Sequence, residues 1–305
     1  MECYVHETQI NMTEQRRIEN PEVREQYTSK IKLSFFRHAE PEEKGNKLDA
    51  DRELTPKGKK QAMEKMAVPD TSQIVVYGSP RKRALETAGF LISESNDEIT
   101  GNESLEELRK KLDQDLGYGS KIGIKAGLDF DANFRRSEYD KYLIKENFSS
   151  GKLIEFLINE SDAMAKEKGT KESPTYSKMA RSVAEIILKY LKVAPRWEGL
   201  VQNSVSSGKN YARELERILV SHQGVLESFL AKLIEKSKGV EERDNFARAI
   251  GSGFDVVDGF ACEIINRDGN TEVVVEYNGA DFKFKESVPK EILEDIIKEG
   301  IDYEK

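Results

Sequence analysis

Residues 31–40 read Ile31-Lys32-Leu33-Ser34-Phe35-Phe36-Arg37-His38-Ala39-Glu40. The apolar, β-prone run 31–36 is bounded by charge and predicts a buried strand. It stops on an arginine and a histidine. Downstream, LTPKGKKQAMEKM predicts a helix with Thr55 as N-cap and Pro56 at the first helical position. The strand-then-helix unit recurs. QIVVYG (73–78) predicts a second buried strand, after which Ser79 caps and Pro80 opens the helix in SPRKRALETAGFLI. RILVSH (217–222) predicts a third strand, passing at once into the amphipathic QGVLESFLAKLIEK. FACEII (260–265) and EVVVEY (272–277) flank Asp268-Gly269, a hairpin turn pair.

Strands alternating with helices predict an α/β fold: a three-layer α/β/α sandwich with a mixed, mostly parallel central sheet. Residues 1–30 are polar and read as an arm, 31–280 as the main domain, and 281–305 as an amphipathic C-terminal helix on the rim. Between about 108 and 210 the chain is charged and patchily helical, which breaks the rhythm and predicts an inserted helical cap. Within it, Met179, Val183, Ile186, Ile187 and Tyr190 form an apolar stripe at helical spacing.

Hydrophobic residues make up 37% of the chain and charged residues 34%, as suits an extensively solvated surface. Forty-eight basic against fifty-six acidic side chains give a net charge of −8, which argues against nucleic acid or an anionic membrane as partner. No apolar run is long enough to span a bilayer. The start, MECYVHETQINMTEQRR, lacks the pattern of a secretory signal. Cys3 and Cys262 are the sole cysteines, too few for a disulfide framework. A cytoplasmic location is therefore expected.

The chemistry concentrates at strand ends. Two of the three histidines, His38 and His222, follow buried strands, whereas His6 lies in the polar arm. Arg37 precedes His38, and Arg81 and Arg83 open the helix after the second strand. Ligands of open α/β sheets bind beyond the carboxyl ends of the strands, where helix N-termini favour phosphate. Two histidines and several arginines at such an edge predict a phosphate site. No Asp/His cluster has metal-ligand spacing, so neither a metal nor another cofactor is expected.

Four motifs in order carry a resemblance. FFRHAE resembles a strand ending in Arg-His-Gly or Arg-His-Ala, and LTPKGKKQA a Leu-Thr-x-x-Gly-x-x-Gln-Ala run. SPRKRALETA resembles a Ser-x-x-x-Arg-Ala-x-x-Thr-Ala helix start, which selects Arg83 over Arg81, and LVSHQG resembles a second-histidine strand. Together they resemble the histidine phosphatase superfamily, the fold of cofactor-dependent phosphoglycerate mutases and acid phosphatases, over roughly 31–107 and 211–280.

The resemblance implies a metal-independent phosphatase acting on phosphate monoesters or phosphoprotein. His38 would attack phosphorus and become phosphohistidine, with its other ring nitrogen donating to a backbone carbonyl. Arg37, Arg83 and His222 would hold the non-bridging oxygens. The family's Leu-x-Glu context points to Glu107 in Leu105-Glu106-Glu107 as proton donor, with Glu106 as rival. Arg52 is expected in a surface ion pair, with a place at the pocket mouth as the alternative. A phosphoglycerate mutase is the alternative, but its Ser and Trp-Asn after the first motif are replaced here by Pro41-Glu42-Glu43-Lys44. A catalytically silent phosphate-binding module is the other. The stretch from Asp49 to Thr55 resembles bacterial enzymes that dephosphorylate protein phosphohistidine. The partner is thus a small phosphorylated substrate or a phosphoprotein, and the oligomeric state stays open.

Overall fold

The computed structural model describes residues 28–43, 45–65, 74–92, 104, 106–107, 110–111, 121–130, 137–143, 145, 150–204, 206, 208, 211–267 and 269–302. Seven strands form one sheet: β1 (Ser29–Arg37), β2 (Val75–Gly78), β3 (Lys121–Ile124), β4 (Glu214–Ser221), β5 (Gly259–Arg267), β6 (Asn270–Asn278) and β7 (Lys283–Ser287). Their spatial order is β3-β2-β4-β1-β5-β6-β7. The first four run parallel, while β5 joins β1 antiparallel and continues as an antiparallel meander through β6 and β7.

Alternation along the strands feeds two cores. On one face Ile31, Leu33, Phe35 and Leu219 meet Met179, Val183 and Ile187 of helix α6 (Tyr176–Gln202) and Leu226, Phe229 and Leu230 of α7 (Val225–Lys238). On the other, Val76, Ile218 and Val220 meet Ala62 of α1 (Pro56–Glu64) and Ala84, Leu85 and Ala88 of α2 (Lys82–Phe90). Side chains two residues apart on a strand share a face, so this split makes three layers. The sandwich is the predicted one.

Several local expectations are met. Thr55 caps α1 by accepting the Gly58 N–H at 2.9 Å, with Pro56 opening the helix. Gly58 is needed, because a Cβ there would run into the Glu40 carbonyl oxygen. The β5–β6 hairpin turns with Arg267 opposite Asn270 and Gly269 at φ 81°, the left-handed region glycine tolerates. Its predicted companion Asp268 lies outside the described residues, as do the arm residues 1–27 with Cys3 and His6.

Three expectations need correction. The span 108–210 is not all insertion: β3 completes the sheet edge, and α6 packs over β1 and β5 as a main helix of the sandwich. Its apolar stripe is core, driven by burial against the sheet. What is left for a cap is the stretch carrying α3 (Glu138–Tyr142), α4 (Leu153–Phe156), a π turn (Leu157–Ser161) and α5 (Asp162–Lys168). The C-terminal section begins with strand β7, and its helix α9 (Lys290–Asp302) packs on α6 and α7 through buried Leu293 and Ile296. Finally, α2 starts at Lys82 with Arg81 as its N-cap, so Ser79 and Pro80 precede the helix. Among the described residues no helix is long and apolar enough to cross a membrane.

Candidate active site

Parallel pairing in the centre of the sheet sets the site. Arg37 of β1 lies opposite Ser221 of β4, so His38 and His222 leave neighbouring strands at the same level. The His38 N–H donates to Ser221 O at 3.0 Å and the Ser79 N–H to Val220 O at 3.1 Å, which locks three strand ends together. The two imidazoles stand edge to face with centroids 5.1 Å apart, and both are buried.

His38 is oriented by its own neighbour. Its Nδ1 lies 2.7 Å from the Ala39 carbonyl oxygen, which can only accept, so Nδ1 carries the proton and Nε2 keeps its lone pair. Arg83 Nε donates to that Nε2 at 3.2 Å. Burial first, then the Arg83 charge, holds the His38 pKa well below 6.5, and the ring is neutral at neutral pH. His222 is held down likewise by burial, then by His38 and Arg83. Its Nε2 is 2.6 Å from Ser79 Oγ, and its Nδ1 is buried without a partner. Ser79, which the sequence suggested as a helix cap, therefore serves His222: a buried ring nitrogen competes better for the hydroxyl than a helix end does.

Four arginines surround the pair. Arg37 Nη1 donates to the Phe254 carbonyl, while its buried Nε–H has no acceptor. Arg83 Nη1 and Nη2 donate to Asp49 O at 2.5 Å and Asp49 Oδ2 at 3.0 Å. Arg81 Nη1 reaches the same Asp49 carboxylate, and Arg81 Nε donates to Asp129. Arg52 pairs with Asp49 at 3.1 Å and also binds the Glu42 carbonyl, so it belongs to this cluster. Burial alone would raise the Asp49 pKa, but the Arg83 and Arg81 charges and the Arg83 bond prevail and hold it at about 2. Burial lowers the pKa of Arg37 and of Arg83.

The sequence reading missed Asp129. It follows the 3-10 turn Ala126–Leu128 after β3, and its Oδ1 stands 3.6 Å from His222 Nε2. The signal was a fourth strand end, but β3 is four residues long and lies in a section read as inserted. Glu107 is exposed and accepts the Ser104 N–H at 2.8 Å, and Glu106 is also exposed. Leu105 lies outside the described residues. The helix N-termini offer less to an anion than expected. The Arg83 N–H donates to Arg52 O, and the Gly224 N–H donates to Glu227. The anion-binding capacity rests on guanidinium and imidazole groups. Among the described residues no group of three or more His, Cys, Asp or Glu side chains is arranged to hold a metal ion.

Residues 33–113 match the family model of the histidine phosphatase superfamily (branch 1). That segment holds Arg37, His38 and Arg83, and the sheet brings His222 to it from outside. Among solved structures, mycobacterial glucosyl-3-phosphoglycerate phosphatase is similar at 14% identity and a TM-score of 0.40, covering 78% of this chain and 90% of that one. Phosphoserine phosphatase from Entamoeba histolytica, in complex with 3-phosphoglyceric acid, is similar at 18% identity and a TM-score of 0.40, covering 80% and 94%. No curated protein sequence matches the chain.

Proposed function

We propose that this protein is a phosphatase that moves a phosphoryl group from an ester oxygen to Nε2 of His38 and then to water. The observation that carries the reading is the state of His38: neutral, with Nδ1–H committed to Ala39 O and the Nε2 lone pair facing Arg83. An imidazole fixed in this tautomer is a ready nucleophile, and no proton need leave the attacking atom. Arg83 Nε would pass from Nε2 to a phosphoryl oxygen, and the unpartnered Arg37 Nε–H and the buried His222 supply further donors. Cations and donors already in place stabilise the charge of the five-coordinate transition state without reorganising at the moment of reaction.

The leaving oxygen needs a proton as its bond to phosphorus breaks. In the second half the attacking water must lose one. Glu107 is the assignment suggested by the motif. Asp129 stands 3.6 Å from His222 Nε2, whereas Glu107 is exposed, which favours Asp129 for both transfers. The second half releases inorganic phosphate and restores neutral His38.

The deciding experiment is acid-labile, base-stable labelling. Wild type quenched during turnover should carry phosphate on His38, and His38→Ala should lose label and turnover together. An alanine variant that keeps a substantial fraction of its activity ends the covalent mechanism. Wild type that neither turns over nor labels on a panel of phosphate esters and phosphoproteins favours a silent binding module.

A further inference from the structure

Helix α7 opens three residues after His222, and its first turn carries Glu227, whose side chain is fully buried. A buried carboxylate is costly unless its oxygens are bonded and its charge is matched. Glu227 Oε2 accepts the Gly224 N–H at 2.7 Å, which is the usual bond of a glutamate at the third position of a helix. Capping alone leaves Oε1 unexplained. Oε1 accepts the Phe254 N–H at 2.8 Å, on the loop from helix α8 (Val240–Ile250) to β5.

The same Phe254 presents its carbonyl to Arg37 Nη1. This loop also wraps the end of β1: the Arg37 N–H donates to Asp258 O at 2.8 Å and the Val257 N–H to Arg37 O at 3.2 Å. Val257 sits at φ 57°, a conformation a β-branched residue rarely adopts, so its surroundings must impose it. Gly253, at φ 125°, lets the backbone pass so close that a Cβ would stand 2.9 Å from Glu227 Oε1. Burial raises the Glu227 pKa, and the charge of Arg37 opposes that rise.

We propose that Glu227 is a positioning residue for Arg37: it grips Phe254 by the N–H while Arg37 holds its carbonyl, and this fixes the guanidinium that would donate to a phosphoryl oxygen. The inference rests on the phosphatase reading of His38. It adds a residue that touches neither substrate nor His38.

The test uses Glu227→Gln, which keeps the shape, removes the charge and turns an N–H2 group toward one of the two backbone N–H donors. Direct titration of the full-length protein with orthovanadate should show affinity weakened by at least about tenfold, the worth of one charge-assisted hydrogen bond. In an Arg37→Ala background the same substitution should change vanadate affinity less than about twofold, because its route of action is gone. A Glu227→Gln protein that melts earlier yet binds vanadate as wild type does overturns the proposal, leaving Glu227 a structural cap. Equal losses in both backgrounds also overturn it. If Glu227→Gln fails to fold, Glu227→Asp keeps the charge with a shorter reach and should weaken vanadate in the Arg37 background alone. Wild type that binds no vanadate and carries no label on His38 instead fails the phosphatase reading itself.

Discussion

Two carboxylates, Asp129 and Glu107, differ in what surrounds them, and that difference is measurable. Asp129 is bonded by Arg81 and by the Phe130 N–H at 2.9 Å and stands 3.6 Å from His222, whereas Glu107 is exposed. A proton donor matters in proportion to how poor the leaving group is, and general acid catalysis typically contributes about a hundred- to ten-thousand-fold. Asp129→Asn should slow alkyl phosphates at least about ten times more than p-nitrophenyl phosphate, whose phenolate departs unaided. Glu107→Gln should slow both alike. Steady-state kcat/KM on the two substrate types decides it, and a leaving-group effect in the Glu107 variant would return the role to the motif residue. Asp49 faces Arg83 and Arg81 and is held at about 2, so it carries no proton near neutrality.

At the scale of elements, the segment between β3 and α6 lines, with α6, a cavity of about 230 Å³ whose link to the histidines is Asp129. Asp129 and Phe130 form one wall, Ser173 and Pro174 another, and Met179 and Arg181 of α6 a third. Asp129 is shared between this cavity and His222, so the part of a substrate beyond its phosphate would enter here. Lys171, Lys178 and Arg181 are balanced on the same walls by Asp129, Glu172 and Glu185, which leaves no single sign of charge. Replacing Lys171 by Ala removes a cation at the rim without disturbing the core. It should shift the ratio of kcat/KM between substrates with and without a second anionic group by about threefold, as expected for roughly 0.7 kcal/mol at a solvated site, and leave the melting temperature in place. An unchanged ratio across the panel would detach this segment from substrate choice.

Over the whole molecule, buried ionisable groups give stability an uneven dependence on pH. Burial pushes the Glu86 carboxyl up from 4.5 to about 7, with only the Leu54 N–H bound to Oε2 and Oε1 without a partner. A carboxyl raised in the folded state favours folding below its unfolded pKa, and this advantage is lost as pH rises through the folded value. Glu86→Gln keeps the acceptor for Leu54 and never ionises. Its stability should therefore match wild type near pH 4.5 and exceed it by on the order of 2 kcal/mol at pH 8, read by chemical denaturation at a series of pH values. The buried histidines act in the opposite sense. Their folded pKa values lie below 6.5, so stability is present above 6.5 and is lost as pH falls. Comparing variant with wild type at each pH cancels the histidines and leaves Glu86 alone. A difference that stays flat with pH would mean that Glu86 ionises as an ordinary carboxyl.

The chain by itself determined the elements whose pattern is written in long enough runs of neighbouring residues. Apolar runs such as 31–36 and 217–220 placed the central strands, Thr55-Pro56 placed a helix start, and Arg37-His38 and His222 drew attention because strand ends collect at one edge of an α/β sheet, whereas the choice of Arg83 over Arg81 came from the family resemblance alone. β3 was lost in the charged middle section, since four residues carry too little pattern to separate a strand from a loop. With it went Asp129, and α6 was taken for part of an insertion because its stripe shows burial without showing against what. The tertiary structure alone decided who meets whom. Ser79 serves His222 143 residues away, and Glu227 reaches Phe254 across 27 residues. Local sequence sets backbone preference, but a buried polar atom takes whichever partner the packed sheet brings within reach.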